Sequence, residues 1–318
     1  MHKLFLTGGT GFFGKSILDM LKAGYKNDTQ FVILSRDPQK FLSDFPEYGN
    51  LANVRFVTGD VRNFPFPQEE FDGIIHAATP AVTTLQPGEM RSIIIDGTRR
   101  VLEFARHCKA QKILFTSSGA VYGPLPPGVM NVQEDFPCNP VTEYGIAKKE
   151  AEKMCLDSGI PTRIARCFAF VGPRLALDIH FAVGNFIRNG LNKEKIIING
   201  DGTPYRSYLY ADDLVRWLFA VYESQEEGGV FNIGSPHGIS IAGLAQKVAA
   251  HFDTPPEIEI RGKSVPGTPP QVYVPDVSKI CRELGTVMEN DLDGSIEKTI
   301  AFHRNRISCR QVKFPEKM

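Results

Sequence analysis

Thr7-Gly8-Gly9-Thr10-Gly11-Phe12-Phe13-Gly14 decides how the rest of the chain is read. An apolar run, Leu4-Phe5-Leu6, leads in, and Ile17, Leu18, Met20 and Leu21 lead out at helical spacing. Gly8, Gly11 and Gly14 thus fall at a strand-to-helix turn. Glycine tolerates positive φ and lets a phosphate come close to the backbone. The helix that follows offers free N–H groups and a partial positive charge to a pyrophosphate. A glycine motif alone is a weak signal. One that follows a strand and opens a helix has the context it requires.

Working outward, strand and helix signals alternate. Strands are expected at Phe31 to Leu34, Val54 to Val57, Gly73 to His76, Lys112 to Phe115 and Thr162 to Ala165. Helical stretches are expected near Met90 to Cys108 and Tyr144 to Leu156. Alternation of this kind predicts an α/β fold with a doubly wound parallel sheet, covered on both faces. Ligands of such sheets bind beyond the carboxyl ends of the strands. Polar residues gather there: Asp60, His76 and Ser117-Ser118. After about Arg166 the regularity breaks into loops at Gly172-Pro173, Gly200 to Pro204 and Pro266 to Pro270. A smaller, irregular domain is expected there. The first domain spans 1–166 and takes back segments near 207–235, among them a strand at Val230 to Ile233; the discontinuous second spans 167–318. The tail from Arg310 to Met318 is expected to fray.

Lys+Arg and Asp+Glu both number 36 in 318 residues, so no basic excess points to nucleic acid or an anionic membrane. Anionic ligands must be met by local arginines and backbone dipoles. The six cysteines form neither C-x-x-C nor a zinc spacing with histidine, so no metal site is expected. Scattered reduced thiols, the absence of a signal-peptide pattern and of an apolar run of about 20 residues predict a cytoplasmic protein.

A dinucleotide site usually places an acid about 20 residues past the glycines, for the ribose 2′-hydroxyl. Ser35 takes that place and Arg36 follows, which favours NADP(H) over NAD(H); Asp37 comes late. Asp60 and Val61 are expected to flank the adenine. Tyr144 and Lys148, four residues apart, share a helix face. An ammonium near a phenol stabilises the phenolate, so this pair is expected to bring the tyrosine within reach of proton transfer near neutral pH. Ser118, at a strand end, completes the trio by hydrogen-bonding the reacting oxygen.

These pieces together resemble the extended short-chain dehydrogenase/reductases, the NAD-dependent epimerase/dehydratase family that acts on nucleotide sugars. The matching segments are TGGTGFFG at Thr7, GDV at Gly59, HAA at His76, SSGAVYG at Ser117, YGIAK at Tyr144, VGPR at Val171 and GDGTPYRSYLYADDL at Gly200. The resemblance implies a Rossmann domain with a mixed α/β substrate domain, and Ser118, Tyr144 and Lys148 as catalytic residues. It further implies a cofactor held by Gly8, Gly11, Phe12, Phe13, Gly14, Ser35, Arg36, Asp60, Val61, Ala77, Ala78, Tyr144 and Lys148. Arg206 would clamp the substrate diphosphate, Asn185 and Arg188 would line the nucleotide pocket, and His180 is a weaker candidate. The implied partners are a nucleoside-diphosphate sugar and a second copy of the chain, paired through helices near Ile93 to Phe104 and Ala147 to Met154.

Three positions depart from the family pattern. Gly119-Ala120 stands where 4,6-dehydratases carry Asp-Glu, Ala169 replaces a common Asn, and Ser207 follows Arg206 where Asp is common. Dehydration is therefore disfavoured. The expected activity is a 4-ketoreductase of a nucleotide 4-keto-6-deoxy sugar. The alternatives are a 4-epimerase, a carbonyl reductase without a nucleotide handle, and a non-catalytic NADP(H) sensor.

Overall fold

The computed structural model describes residues 2–79, 86, 88–178, 181–225 and 228–313, with side chains to residue 306. In chain order the elements of the first half are β1 (His2–Thr7), α1 (Phe12–Lys22), β2 (Thr29–Ser35), α2 (Pro38–Asp44), β3 (Val54–Thr58), β4 (Gly73–His76), α3 (Glu89–His107), β5 (Lys112–Ser118), α4 (Glu143–Leu156) and β6 (Thr162–Cys167). There follow β7 (Phe170–Val171), α5 (Ala182–Leu191), β8 (Ile196–Ile198), β9 (Tyr205–Arg206), β10 (Leu209–Tyr210), α6 (Ala211–Glu223), β11 (Val230–Ile233), β12 (Ile239–Ser240), α7 (Ile241–Ala249), β13 (Ile258–Ile260), β14 (Val272–Tyr273), α8 (Ser278–Leu284) and α9 (Leu292–Lys313).

Seven strands form one parallel sheet in the order β11-β6-β5-β4-β1-β2-β3. The order reverses between β1 and β4, so their carboxyl ends open a crevice, the switch point where doubly wound sheets bind ligands. Strands such as Phe31-Val32-Ile33-Leu34 are buried on both faces because helices cover both. One face packs Leu4, Leu6, Ile17, Ile33 and Leu114 against Leu214, Trp217 and Leu218 of α6. The other packs Phe5, Ile74, Ile113 and Phe115 against Val101 and Phe104 of α3 and Ala147 and Ala151 of α4. The expected strands are present, and four of them run further than the expected stretches: β2 spans Thr29–Ser35, β3 reaches Thr58, β5 reaches Ser118 and β6 reaches Cys167.

The chain beyond β6 serves both halves. α6 and β11 return to the sheet, while α5, α7, β8 and the first turns of α9 enclose a separate core around Val183, Ile187, Leu244, Val248 and Ile296. Three short strands, β12-β9-β14, form a sheet that reaches back over the carboxyl ends of β5 and β6. Of the tail expected to fray, Arg310 to Lys313 form the end of α9, and 314–318 lie outside the described residues.

Candidate active site

The glycine turn is built by close approach. Gly8 has φ +77°, and a β-carbon there would lie 2.4 Å from the Ala77 carbonyl oxygen at the end of β4. A β-carbon on Gly14 would meet the Gly9 backbone at 2.2 Å. Only glycine lets α1 start this close to the strand ends. Gly11 caps α1 without any side-chain hydrogen bond, so the first-turn N–H groups face outward with no protein cap. That is the donor set a pyrophosphate needs. The rings of Phe12 and Phe13 turn away and pack on Phe170, at 6.5 and 5.2 Å between centroids.

His76 fixes this floor from below. Nδ1 lies 2.7 Å from Thr7 Oγ1 and Nε2 lies 3.1 Å from Thr98 Oγ1, joining β1, β4 and α3. Burial, and then the nearby Lys148 charge, push its pKa down to about 3, so it stays neutral and structural. Ala78 N–H completes the joint on Thr7 Oγ1 at 3.2 Å.

At the far end of the crevice, Ser35 is buried and Arg36 exposed. Asp37 caps α2, accepting the Lys40 N–H at 2.9 Å, which explains its late position. Asp60 holds Arg62: Oδ1 accepts Nε at 2.7 Å and Oδ2 accepts Nη2 at 3.0 Å. This pairing, with Arg36 adding to it, keeps the Asp60 carboxyl below the usual range. Val61 is buried against Gly97 of α3, within the core of that face.

The three polar residues of the expected trio converge. Thr142 caps α4 by accepting the Gly145 N–H at 3.1 Å, and Gly145 lets the helix start against Ala120. Tyr144 and Lys148 then lie on the face turned toward β5. Ser118 caps the 3-10 turn Gly119–Tyr122 through the Ala120 N–H at 3.2 Å. Lys148 Nζ donates to Thr79 Oγ1 at 2.7 Å and to the Thr116 carbonyl at 2.8 Å, and lies 5.9 Å from the Tyr144 ring centre.

One expectation is corrected here. The tyrosine is not made more acidic by its lysine. Burial pushes the Tyr144 phenol up to about 12, with the Ser118 hydroxyl partly opposing it. Burial also pushes Lys148 down to about 8. Desolvation dominates because both groups are buried, and the ammonium's hydrogen bonds go to Thr79 and Thr116.

A second phenol, Tyr273, enters the site, and no motif announced it. It lies 155 residues from Ser118, just beyond the proline-rich loop. Pairing of β14 with β9 sets Tyr273 beside Arg206. Its hydroxyl lies 3.4 Å from Ser118 Oγ, and its ring packs on Phe168 at 4.7 Å and under the Arg206 guanidinium at 5.7 Å. These rings explain Gly119. A β-carbon there would lie 2.7 Å from Phe168 and 2.9 Å from the Tyr273 hydroxyl. The only signal available in sequence was an apolar pair between prolines, Val272-Tyr273.

Arg206 itself is half-buried and donates to the Tyr205 carbonyl at 2.8 Å. Asn185 and Arg188 stand half-buried on α5 and make no side-chain hydrogen bond among the described residues. His180 lies outside the described residues. No cluster of three or more metal-ligating side chains occurs among the described residues, and no described helix is long and apolar enough to cross a membrane. The five described cysteines are unpaired thiols.

Comparison with known proteins places this geometry. The chain is 32% identical over 301 residues to UDP-glucuronic acid decarboxylase 6 of Arabidopsis thaliana, covering 89% of this chain and 83% of that protein. Its fold superposes on UDP-glucuronic acid 4-epimerase from Bacillus cereus, solved with UDP-glucuronic acid and NAD, with a TM-score of 0.81 at 24% identity, covering 96% and 99% of the two chains. It also superposes on dTDP-glucose 4,6-dehydratase from Bacillus anthracis, with a TM-score of 0.82 at 18% identity, covering 97% and 98%. Residues 4–234 match the NAD dependent epimerase/dehydratase family. With that match, the switch-point crevice and the Ser118, Tyr144 and Lys148 cluster, the chain belongs to the NAD dependent epimerase/dehydratase family, the nucleotide-sugar-modifying extended short-chain dehydrogenase/reductases, and is an enzyme of it.

Proposed function

We propose that this enzyme reduces a nucleoside-diphosphate 4-keto-6-deoxy sugar, with NADPH as the hydride source. When bound, the reduced nicotinamide supplies the hydride that goes to C4. The chain's own residues do the rest. Tyr144 gives its phenol proton to the C4 oxygen as the carbon–oxygen double bond becomes a single bond. Ser118 and Tyr273 hold that oxygen, and Lys148 keeps a positive charge near the phenolate left behind. Arg206 meets the diphosphate.

The observation that carries this reading is the convergence of hydroxyls at the end of β5. Ser118 Oγ lies 3.4 Å from the Tyr273 hydroxyl, with Tyr144 and Lys148 on the helix face beside them, so that proton donors are gathered where a C4 oxygen would sit. Two further features support it. Phe168 and Tyr273 fill the space where a dehydratase carboxylate would stand. Asp37 is committed to capping α2, leaving Ser35 and Arg36 at the ribose end, and an arginine suits a 2′-phosphate through charge-assisted hydrogen bonds.

The relatives favour a second reading. One is named a UDP-glucuronic acid decarboxylase and another a UDP-glucuronic acid 4-epimerase, and an epimerisation at C4 returns the hydride to the sugar, so that no cofactor is consumed. The test is direct. Purified protein is assayed at 340 nm with NADPH and a panel of nucleotide 4-keto-6-deoxy sugars. Stoichiometric loss of NADPH supports the reductase. Protein that retains cofactor and converts UDP-glucuronic acid without added cofactor supports the second reading. We further propose a homodimer, to be read by light scattering. α3 and α4 pack side by side, and α4 leaves Ile146 and Leu156 exposed.

A further inference from the structure

Beneath the site lies a buried ionic network that the hydride-transfer chemistry does not use. Glu152 stands one turn beyond Lys148 on α4, on the face that carries Tyr144. Its carboxylate accepts from Arg166 Nε at 3.0 Å and Nη2 at 2.9 Å, from Ser117 Oγ at 2.6 Å and from Lys149 Nζ at 3.1 Å. Glu152 and Arg166 are 1% and 4% exposed. Arg166 Nη1 donates on to the Tyr122 hydroxyl and the Glu134 carbonyl, both at 3.0 Å. Tyr122 donates to Asn232 Oδ1 at 2.8 Å, and Asn232 Nδ2 donates to the Val132 carbonyl at 2.8 Å and the Asp276 carbonyl at 3.2 Å.

Each segment that brings a hydroxyl or ammonium to the site is held by this network. Ser117 precedes Ser118. Tyr122 closes the 3-10 turn that Ser118 opens. Glu152 shares its helix with Tyr144 and Lys148. Asp276 follows Tyr273 by three residues. A buried ion pair adds little net stability, because desolvation offsets the attraction, and an apolar pair of similar volume is often as stable. What a bidentate guanidinium–carboxylate pair supplies is a fixed direction.

We infer that Glu152 and Arg166 are positioning residues, whose paired charges set the placement of Ser118, Tyr144 and Lys148 and not the stability of the fold. The inference rests on the reading of that trio as catalytic under the proposed function. Glu152 also acts on Lys148 through its charge. The groups facing that ammonium are Tyr144, Glu152 and Cys155 on its own helix, His76 on β4, the Phe115 ring and Thr116 carbonyl on β5, Cys167 on β6, and Thr79. Of these Glu152 is the carboxylate.

Two variants test the inference. The paired variant Glu152→Leu with Arg166→Met replaces the ions by apolar groups. It is expected to melt within a few degrees of the wild type. Its kcat should fall about tenfold or more while KM changes by less than about threefold, as for a small misplacement of catalytic groups. Hydrogen exchange, followed by mass spectrometry, should quicken in peptides covering 117–122 and 143–152. Glu152→Gln keeps the shape and removes the charge. Its alkaline loss of kcat should move to lower pH, since Lys148 then sheds its proton more easily. A paired variant with wild-type kcat and wild-type exchange overturns the inference. Should that variant not fold, Glu152→Gln decides, and an unmoved alkaline limb overturns it. If the wild type transfers no hydride with any sugar nucleotide, the proposed function fails, and the exchange measurement alone decides between positioning and none.

Discussion

Lys148 gives the proposed mechanism a signature in stability. Its ammonium is enclosed by protein, and burial brings its pKa from 10.5 to about 8. In the unfolded chain a lysine keeps its proton to about 10.4. Between these values the unfolded chain binds more protons than the native one, so stability rises with pH across that window. Below about pH 8 the cost of the buried cation is present in full. At about 1.36 kcal/mol per pH unit, the interval corresponds to about 3 kcal/mol. Lys148→Met has similar length and does not titrate. The stability of the wild type relative to Lys148→Met should therefore rise by about 2 kcal/mol from pH 7 to about pH 9.5. For a chain of this size that is about 3 °C in melting temperature. Differential scanning calorimetry of both proteins at several pH values measures it, because the difference cancels the other titrating groups. A difference that stays flat with pH would refute the burial argument. The charge that Tyr144 relies on would then survive well above pH 8.

Tyr144→Phe should lower kcat by about 10²- to 10⁴-fold, the usual contribution of a general acid, with nucleotide affinity preserved in a fluorescence titration. Gly119→Asp should yield no dehydratase activity and cost about 1–3 kcal/mol in urea unfolding, because the new side chain meets Phe168 and Tyr273. Arg36→Ala should weaken NADPH by about tenfold while leaving NADH nearly unchanged, the loss expected for one charge-assisted hydrogen bond; equal weakening of both would argue against a 2′-phosphate contact. Tyr273→Phe should raise the apparent KM for the sugar nucleotide without changing the melting temperature by more than a few degrees.

The chain's own order of residues determined the cofactor half. Strands buried on both faces are short continuous apolar runs and helix faces repeat every third or fourth residue, so the succession of elements from Leu4 to Cys167 could be read from neighbours alone. The glycine turn, the Ser118 strand end and the Tyr144–Lys148 helix face are likewise local, each within about one turn of chain. Tertiary structure decided what lies across the crevice. Tyr273 reaches Ser118 only because β14 pairs with β9. The need for glycine at 119 comes from Phe168 and Tyr273, which no spacing around residue 119 reveals. The direction of the Tyr144 pKa came from burial of the phenol, which the Ser118 hydroxyl opposes only in part. Burial is a property of the whole fold, so a sequence can name the groups that titrate, but only the packed chain sets which of them carries the proton.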